Sequence, residues 1–289
     1  MTDWLHTLRW KNLLIIWISI LVIIIPHLNL SDWVHYYEFI LWGIVCSSVA
    51  AIGNITNDIS DVKQDKENKK KNIFTGGKNK KLAYFIITVL LLTITCVSVL
   101  SKFYHYYLFL SFISLLLLFL YNLQLKKIAL LGNLVIALLT TLIFIGINFI
   151  ATTNIVYFKY GFNNKYIELL SCFAFITTLI REILKDAEDR KGDSFAGFKT
   201  IANYLNDKWL AVFILGVSII GCAITYFIMV LRHINFTKYY FYFSGWIILV
   251  SLAAAIVMFM NNPSKYVLAT RTVKAGMLGC LIIYLILSL

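Results

Sequence analysis

The chain has 289 residues, is 60% hydrophobic, has a mean hydropathy of +0.80 and carries a formal net charge of +12 at pH 7. A soluble domain is about half apolar, so one core cannot hide this excess and an ordinary soluble globular enzyme is excluded. Repeated apolar runs of membrane-crossing length point to a polytopic helical membrane protein.

In chain order the runs predict nine spans, at roughly 12–30, 36–57, 82–101, 103–122, 128–151, 166–185, 208–231, 239–260 and 268–289. Each is close to the ~20 residues that cross the hydrocarbon layer as a helix. The runs are continuously apolar, not alternating, which selects helices over a barrel. The first follows "MTDWLHTLRWK"; it is long and has no small-residue cleavage site after it, so it is expected to be a retained helix and not a signal peptide. Cys46, Cys96, Cys172, Cys222 and Cys280 all fall in predicted spans without metal-ligand spacing and read as small apolar packing residues. The histidines are scattered, which speaks against a zinc site.

With nine spans, 21 of the 26 Lys and Arg fall on the side of the N-terminus. The positive-inside rule makes that side cytoplasmic and puts the C-terminus outside. The basic excess is therefore topological and membrane-surface charge, not a nucleic-acid footprint. No Gly-rich phosphate loop or helix-turn-helix pattern competes with that reading.

The acidic residues behave differently. Nine of the 14 Asp and Glu lie in two short segments, "NDISDVKQDKE" (57–67) and "REILKDAEDRKGD" (181–193). Asp58, Asp61 and Asp65 follow i, i+3, i+7, and so do Asp186, Asp189 and Asp193. On a helix each triplet lines one face. Like charges there repel unless a cation faces them, and hard oxygen ligands select Mg2+ or Ca2+. Two such faces meeting across a cavity suit a diphosphate held by metal ions, the leaving group when an allylic prenyl chain ionises. The plainer reading is that the carboxylates cap helix ends and solvate a loop. The segments end predicted spans 2 and 6, four helices apart. The expected fold is therefore all-α, nine transmembrane helices in a bundle of two four-helix repeats plus one helix. It forms a single domain, with cap loops at about 58–81 and 186–207.

These residues resemble a known family. "NDISDVKQD" (57–65) is similar to the N-D-x-x-D-x-x-x-D motif of the UbiA-type intramembrane prenyltransferases, and "DAEDRKGD" (186–193) with "AGFKT" (196–200) resembles their second aspartate motif. "LRWKNLL" (8–14), "YNLQLKK" (121–127) and "LGNL" (131–134) resemble further family segments, so the likeness covers nearly the whole chain. The resemblance implies a nine-helix bundle that transfers a prenyl group from a prenyl diphosphate to a lipophilic acceptor with Mg2+. It implies metal ligands at Asn57, Asp58, Asp61 and Asp65 and at Asp186, Asp189 and Asp193. Asp58, Asp61, Asp189 and Lys126 would carry the catalysis. Arg9, Lys11, Asn12, Lys70, Lys71, Tyr121, Lys126 and Lys199 would contact substrate. The second segment looks most like the branch that acts on geranylgeranylglyceryl phosphate in ether-lipid synthesis, in an inner or plasma membrane with the active site facing the cytoplasm.

The chain departs from the family at one place. After the first motif the family shows a stretch resembling N-x-P-x-R-P-x-P-S-G, where this chain has "NKKKNIFTGGKNKK" (68–81). The Gly76-Gly77 turn is kept, but the prolines and the arginine are not. Lys69, Lys70 and Lys71 supply positive charge, as point charges and not as a planar fork; the same run also reads as a solvated, membrane-facing loop. Prenylation of an aromatic acceptor in quinone synthesis keeps the fold, as does cyclisation of a carbocation. A cation- or proton-coupled transporter is disfavoured because the acidic clusters sit at helix ends and not near the midplane.

Overall fold

A computed structural model describes residues 2–27, 33–153, 164–231, 237–262 and 264–288. Among these residues the regular structure is helical, with one isolated parallel bridge between Ile128 and Lys199. In chain order the helices are α1 (Thr2–Thr7), α2 (Trp10–Ile24), α3 (Trp33–Ser60), α4 (Val62–Glu67), α5 (Lys80–Leu100) and α6 (Tyr104–Leu123). Then come α7 (Leu131–Thr153), α8 (Asn164–Phe195), α9 (Ile201–Tyr204), α10 (Asp207–Leu231), α11 (Thr237–Met258) and α12 (Lys265–Ser288).

Among the described residues seven helices, α3, α5, α6, α7, α10, α11 and α12, are long and apolar enough to cross a membrane. The expected spans at 12–30 and 166–185 correspond to α2 and α8. Helix α2 has 15 residues and gives way to a 3-10 turn, Ile25–His27. Pro26 sits in that turn and has no N–H to continue an α-helical ladder. Residues 28–30 of that predicted span lie outside the described residues. Helix α8 has 32 residues, but Glu168, Arg181 and Glu182 interrupt its apolar stretch. All five cysteines are free; Cys46, Cys222 and Cys280 are buried, whereas Cys96 is exposed and does not pack inside.

The helices form two compact units. The first comprises Met1–Leu125 and Gly146–Phe162, and α3 is its central element. Near the start of α3 the Glu38 side chain is fully buried and is satisfied by neutral donors. Ser101 Oγ donates to it at 2.6 Å, the Lys102 N–H at 3.0 Å and the Tyr107 hydroxyl at 3.0 Å. A buried carboxylate is tolerable only with such partners. One turn on, Trp42 packs on Tyr107 with ring centroids 5.0 Å apart. The Trp42 ring lies where a Cβ on Gly146 would stand, with Cε2 only 2.2 Å from that point, so only glycine permits this approach.

The second unit comprises Lys126–Ile145 and Asn163–Leu289. Apolar burial does not drive helices together inside lipid, so packing and polar contacts hold them. Ser218 of α10 and Ser251 of α11, both buried, share a 2.7 Å hydrogen bond. Tyr240 donates to the Cys222 carbonyl at 2.8 Å and Trp246 Nε1 to the Gly276 carbonyl at 2.9 Å. Phe173 of α8 stacks on Phe243 of α11 at 5.3 Å.

Candidate active site in two aspartate segments

The first segment closes α3 and forms α4. Asp61 interrupts the helix, with φ −93 and ψ 9, so Asp58, Asp61 and Asp65 do not lie on one unbroken helix as the spacing predicts. The ladder nevertheless spans the bend: the Asp61 N–H donates to the Asn57 carbonyl at 2.9 Å and the Asp65 N–H to the Asp61 carbonyl at 2.8 Å. Side chains brace it. Asn57 Nδ2 donates to Asp61 Oδ2 at 2.7 Å, and Ser60 Oγ to Asp61 Oδ1 at 3.2 Å. Arg9, from the turn between α1 and α2, lies 3.4 Å from Asp58 Oδ1.

Helix α4 ends in a Schellman motif. The Lys70 N–H reaches the Asp65 carbonyl at 2.7 Å and the Lys69 N–H the Lys66 carbonyl at 3.1 Å. Lys69 adopts the left-handed conformation this cap requires, φ 54. The following loop is pinned by Phe74, fully buried with Ile55 and Ala83 and edge-on to Trp4 at 6.0 Å. Gly76 and Gly77 then turn the chain with φ 71 and 79, as the retained Gly-Gly pair predicts. Lys71 donates to Asp3 at 2.6 Å, and this hydrogen bond holds Asp3 below the usual carboxylate range. Lys11 is exposed, 5.8 Å over the Trp10 ring, and Asn12, Lys70 and Tyr121 are half-buried in the same unit.

The second segment is the unbroken C-terminal end of α8. It also stops in a Schellman motif: the Phe198 N–H bonds the Asp193 carbonyl at 2.8 Å and the Gly197 N–H the Ser194 carbonyl at 3.1 Å. Here glycine takes the left-handed position, φ 74. Buried Asn133, two residues into α7, donates Nδ2–H to Asp186 Oδ2 at 2.9 Å. Asp186 lies just beyond the expected span. Burial pushes its carboxyl up to about 7; the Asn133 hydrogen bond and Lys185 oppose this, while Asp193 and Glu182 add to it. Arg190 does not face the aspartates alone. It lies 3.6 Å from Asp207, donates to the Leu205 carbonyl at 3.3 Å and sits over the Tyr266 ring. Lys126 lies in the Leu125–Lys127 turn, Nζ 5.9 Å over the Phe198 ring. The bridge of Ile128 with Lys199, and the 3.0 Å bond from the Lys199 N–H to the Lys127 carbonyl, set this turn beside the "AGFKT" stretch. The Lys199 side chain is exposed, and Asp189 and Asp193 are partly so.

Among the described residues no three His, Cys, Asp or Glu converge as a ready-made metal cage. Mg2+ does not require one, because it keeps several waters and takes one or two carboxylates plus phosphate oxygens. The residues present fit such an ion. Asn57 Oδ1 is buried without a hydrogen-bond partner, a hard oxygen a cation would satisfy. Asp186 is a carboxylate whose charge burial penalises. The sequence pattern gives Asn133 no role; its only signal is an amide within the family-like segment 131–134.

Residues 12–278 match the model of the UbiA prenyltransferase family. A digeranylgeranylglyceryl phosphate synthase of Methanosarcina mazei is 30% identical over 89% of this chain and 84% of its own. The enzyme of that name from Sulfurisphaera tokodaii is 30% identical over 88% and 87%. Among solved structures, a digeranylgeranylglyceryl phosphate synthase aligns with a TM-score of 0.67 at 23% identity, over 99% of this chain and 97% of that one. A UbiA homolog from Archaeoglobus fulgidus bound to GPP and Mg2+ aligns at 0.60 with 14% identity, over 98% and 99%. These two likenesses speak to the fold, while the sequence matches carry the kinship: the chain belongs to the UbiA prenyltransferase family.

Proposed function

We propose that this prenyltransferase moves a geranylgeranyl group from geranylgeranyl diphosphate to geranylgeranylglyceryl phosphate, with Mg2+, in ether-lipid synthesis. The observation that carries the reading is the match to enzymes of that name over more than four fifths of the chain. Asn57, Asp58, Asp61 and Asp65 are one proposed ligand set, and Asp186, Asp189 and Asp193 the other. A bound metal ion supplies positive charge to the departing diphosphate. Arg9 and Lys126 add charge beside the two segments, and Lys70, Lys71 and Lys199 extend it along the loops. The C1–O bond of the prenyl diphosphate breaks, with its electron pair leaving on the diphosphate. The acceptor hydroxyl oxygen bonds to C1 and gives up its proton to the departing diphosphate. The capped loops at 68–79 and 196–200 limit water, which would otherwise quench the allylic cation.

The same reading makes α2 and α8 membrane-crossing as well, nine spans in two four-helix repeats plus one. Helix α8, 32 residues, is about 48 Å long at 1.5 Å per residue and reaches across the hydrocarbon with length to spare. Both aspartate segments then face the cytoplasm, the side holding 21 of the 26 Lys and Arg.

The test is product analysis with protein in lipid nanodiscs, geranylgeranyl diphosphate, and a panel of glycerophosphate and aromatic acceptors. The expected product is digeranylgeranylglyceryl phosphate, one diphosphate released per transfer, abolished by EDTA. Transfer only to an aromatic ring would move the protein to quinone synthesis.

A further inference from the structure

In the stretch where this chain departs from the family pattern, Asn72 stands at the arginine's place, four residues after Asn68. Its side chain makes three contacts at once. Nδ2 donates to the Asp58 backbone carbonyl at 2.7 Å and to Asp65 Oδ2 at 2.7 Å, and Oδ1 accepts the Phe74 N–H at 2.9 Å. The Asp58 carbonyl belongs to the last turn of α3, where carbonyls need partners from outside the helix. Asp65 lies in α4, beyond the bend at Asp61. One amide therefore ties together the two sides of the bend.

We propose that Asn72 is a positioning residue for the first aspartate segment. It sets where the Asp65 carboxylate stands relative to Asp58 and Asp61, and so prepares the segment for a divalent cation. Three observations support this. The Nδ2 bonds to the Asp65 carboxylate and to the Asp58 carbonyl are equally short, so one amide fixes the carboxylate against the backbone of α3. The donor is neutral, so it orients Asp65 without cancelling the charge a cation would meet, as a guanidinium would. The third contact hands that geometry to a rigid support, because the Phe74 side chain is fully buried. Neighbouring Lys71 is turned to Asp3 of α1. Groups that orient metal ligands from outside typically govern affinity by 10–100-fold.

The inference rests on the reading of the first segment as a Mg2+ site, and the experiment separates the two. Mn2+ is titrated into purified, substrate-free protein and the free ion followed by electron paramagnetic resonance. Wild type, Asn72→Ala, Asn72→Gln and Thr75→Ala are compared, with melting in EDTA as a control of fold. Thr75 donates only to the Asn72 carbonyl, a loop contact that leaves the Asn72 amide in place. The expected result is a rise of about 10–100-fold in half-saturating Mn2+ for Asn72→Ala. Asn72→Gln keeps an N–H donor and recovers part of the affinity, Thr75→Ala binds as wild type, and melting in EDTA falls no further in Asn72→Ala than in Asn72→Gln. Wild-type affinity in Asn72→Ala overturns the role of Asn72 while leaving the metal site standing. So does a loss that Gln does not recover and that tracks lower melting, which makes Asn72 a loop support only. Absence of saturable Mn2+ binding by wild type, both alone and with inorganic pyrophosphate present, overturns both readings.

Discussion

The first aspartate segment bends at Asp61 and ends in a cap that forces Lys69 into the left-handed region; the second runs straight to a cap on Gly197. Yet the register is the same. The third aspartate of each triplet, Asp65 or Asp193, supplies the carbonyl that receives the outer Schellman bond, and the left-handed residue follows four positions later. Each segment also has an aspartate held by a neutral amide, Asp65 by Asn72 and Asp186 by Asn133. Seven residues after the third aspartate the first segment has Asn72, while the second has Thr200, whose buried hydroxyl makes no hydrogen bond. Nearby cations are partly engaged elsewhere, Lys71 with Asp3 and Arg190 with Asp207. Neutral donors fix carboxylate geometry without spending the charge, which is what a site for a hard cation needs.

The largest test of this equivalence removes one aspartate from each segment. Asp58→Ala and Asp189→Ala should each lower Mg2+-dependent diphosphate release on the order of 10³-fold. Full activity in either purified variant would reduce that segment to a helix cap. Next, Asn133→Ala should raise the Mg2+ needed for half-maximal transfer by about 10–100-fold. A fall in melting without that rise would make Asn133 a packing residue.

Smaller effects separate the caps. Gly197→Ala places a Cβ in the left-handed region and should destabilise by about 1 kcal/mol. Lys69→Gly relieves the same conformation and should stabilise by about 0.5–1 kcal/mol. Matched melting curves read both. If Lys69→Gly also slows transfer at saturating Mg2+, the Lys69 charge serves the diphosphate. The last test is one of sign. Asp186 is raised in the fold, so its charged form is penalised and metal-free protein loses stability as pH rises from the usual Asp range through about 7. Asp186→Asn should remove that trend, and the margin by which the variant melts above wild type in EDTA should be larger at pH 8 than at pH 5. Equal melting at both values would show that the carboxylate is comfortable in place.

Apolar runs carried most of the helix positions. The predicted spans 103–122 and 239–260 meet α6, Tyr104–Leu123, and α11, Thr237–Met258, because hydropathy follows lipid-facing length. Backbone events lay beyond that signal. The bend at Asp61 has no proline or glycine to announce it, and the left-handed Lys69 is a residue that sequence rules place elsewhere. The acidic spacing pointed to both segments, and the structure adds their amide supports. Asn133 and Asn72 are 53 and 7 residues from the carboxylates they hold. The first distance is invisible to local pattern, and the second hides in a lysine-rich loop.

Helix α7 is divided between the two units, Leu131–Ile145 in one and Gly146–Thr153 in the other. The first unit therefore contains Gly146, the seat of the Trp42 ring, although the chain has by then already begun the second. Order of synthesis is thus not order of completion. A nascent chain halted after α6 holds Trp42 and Tyr107 with no Gly146 to close over them, and biogenesis must keep that half-built surface from other partners until twenty-odd further residues have emerged.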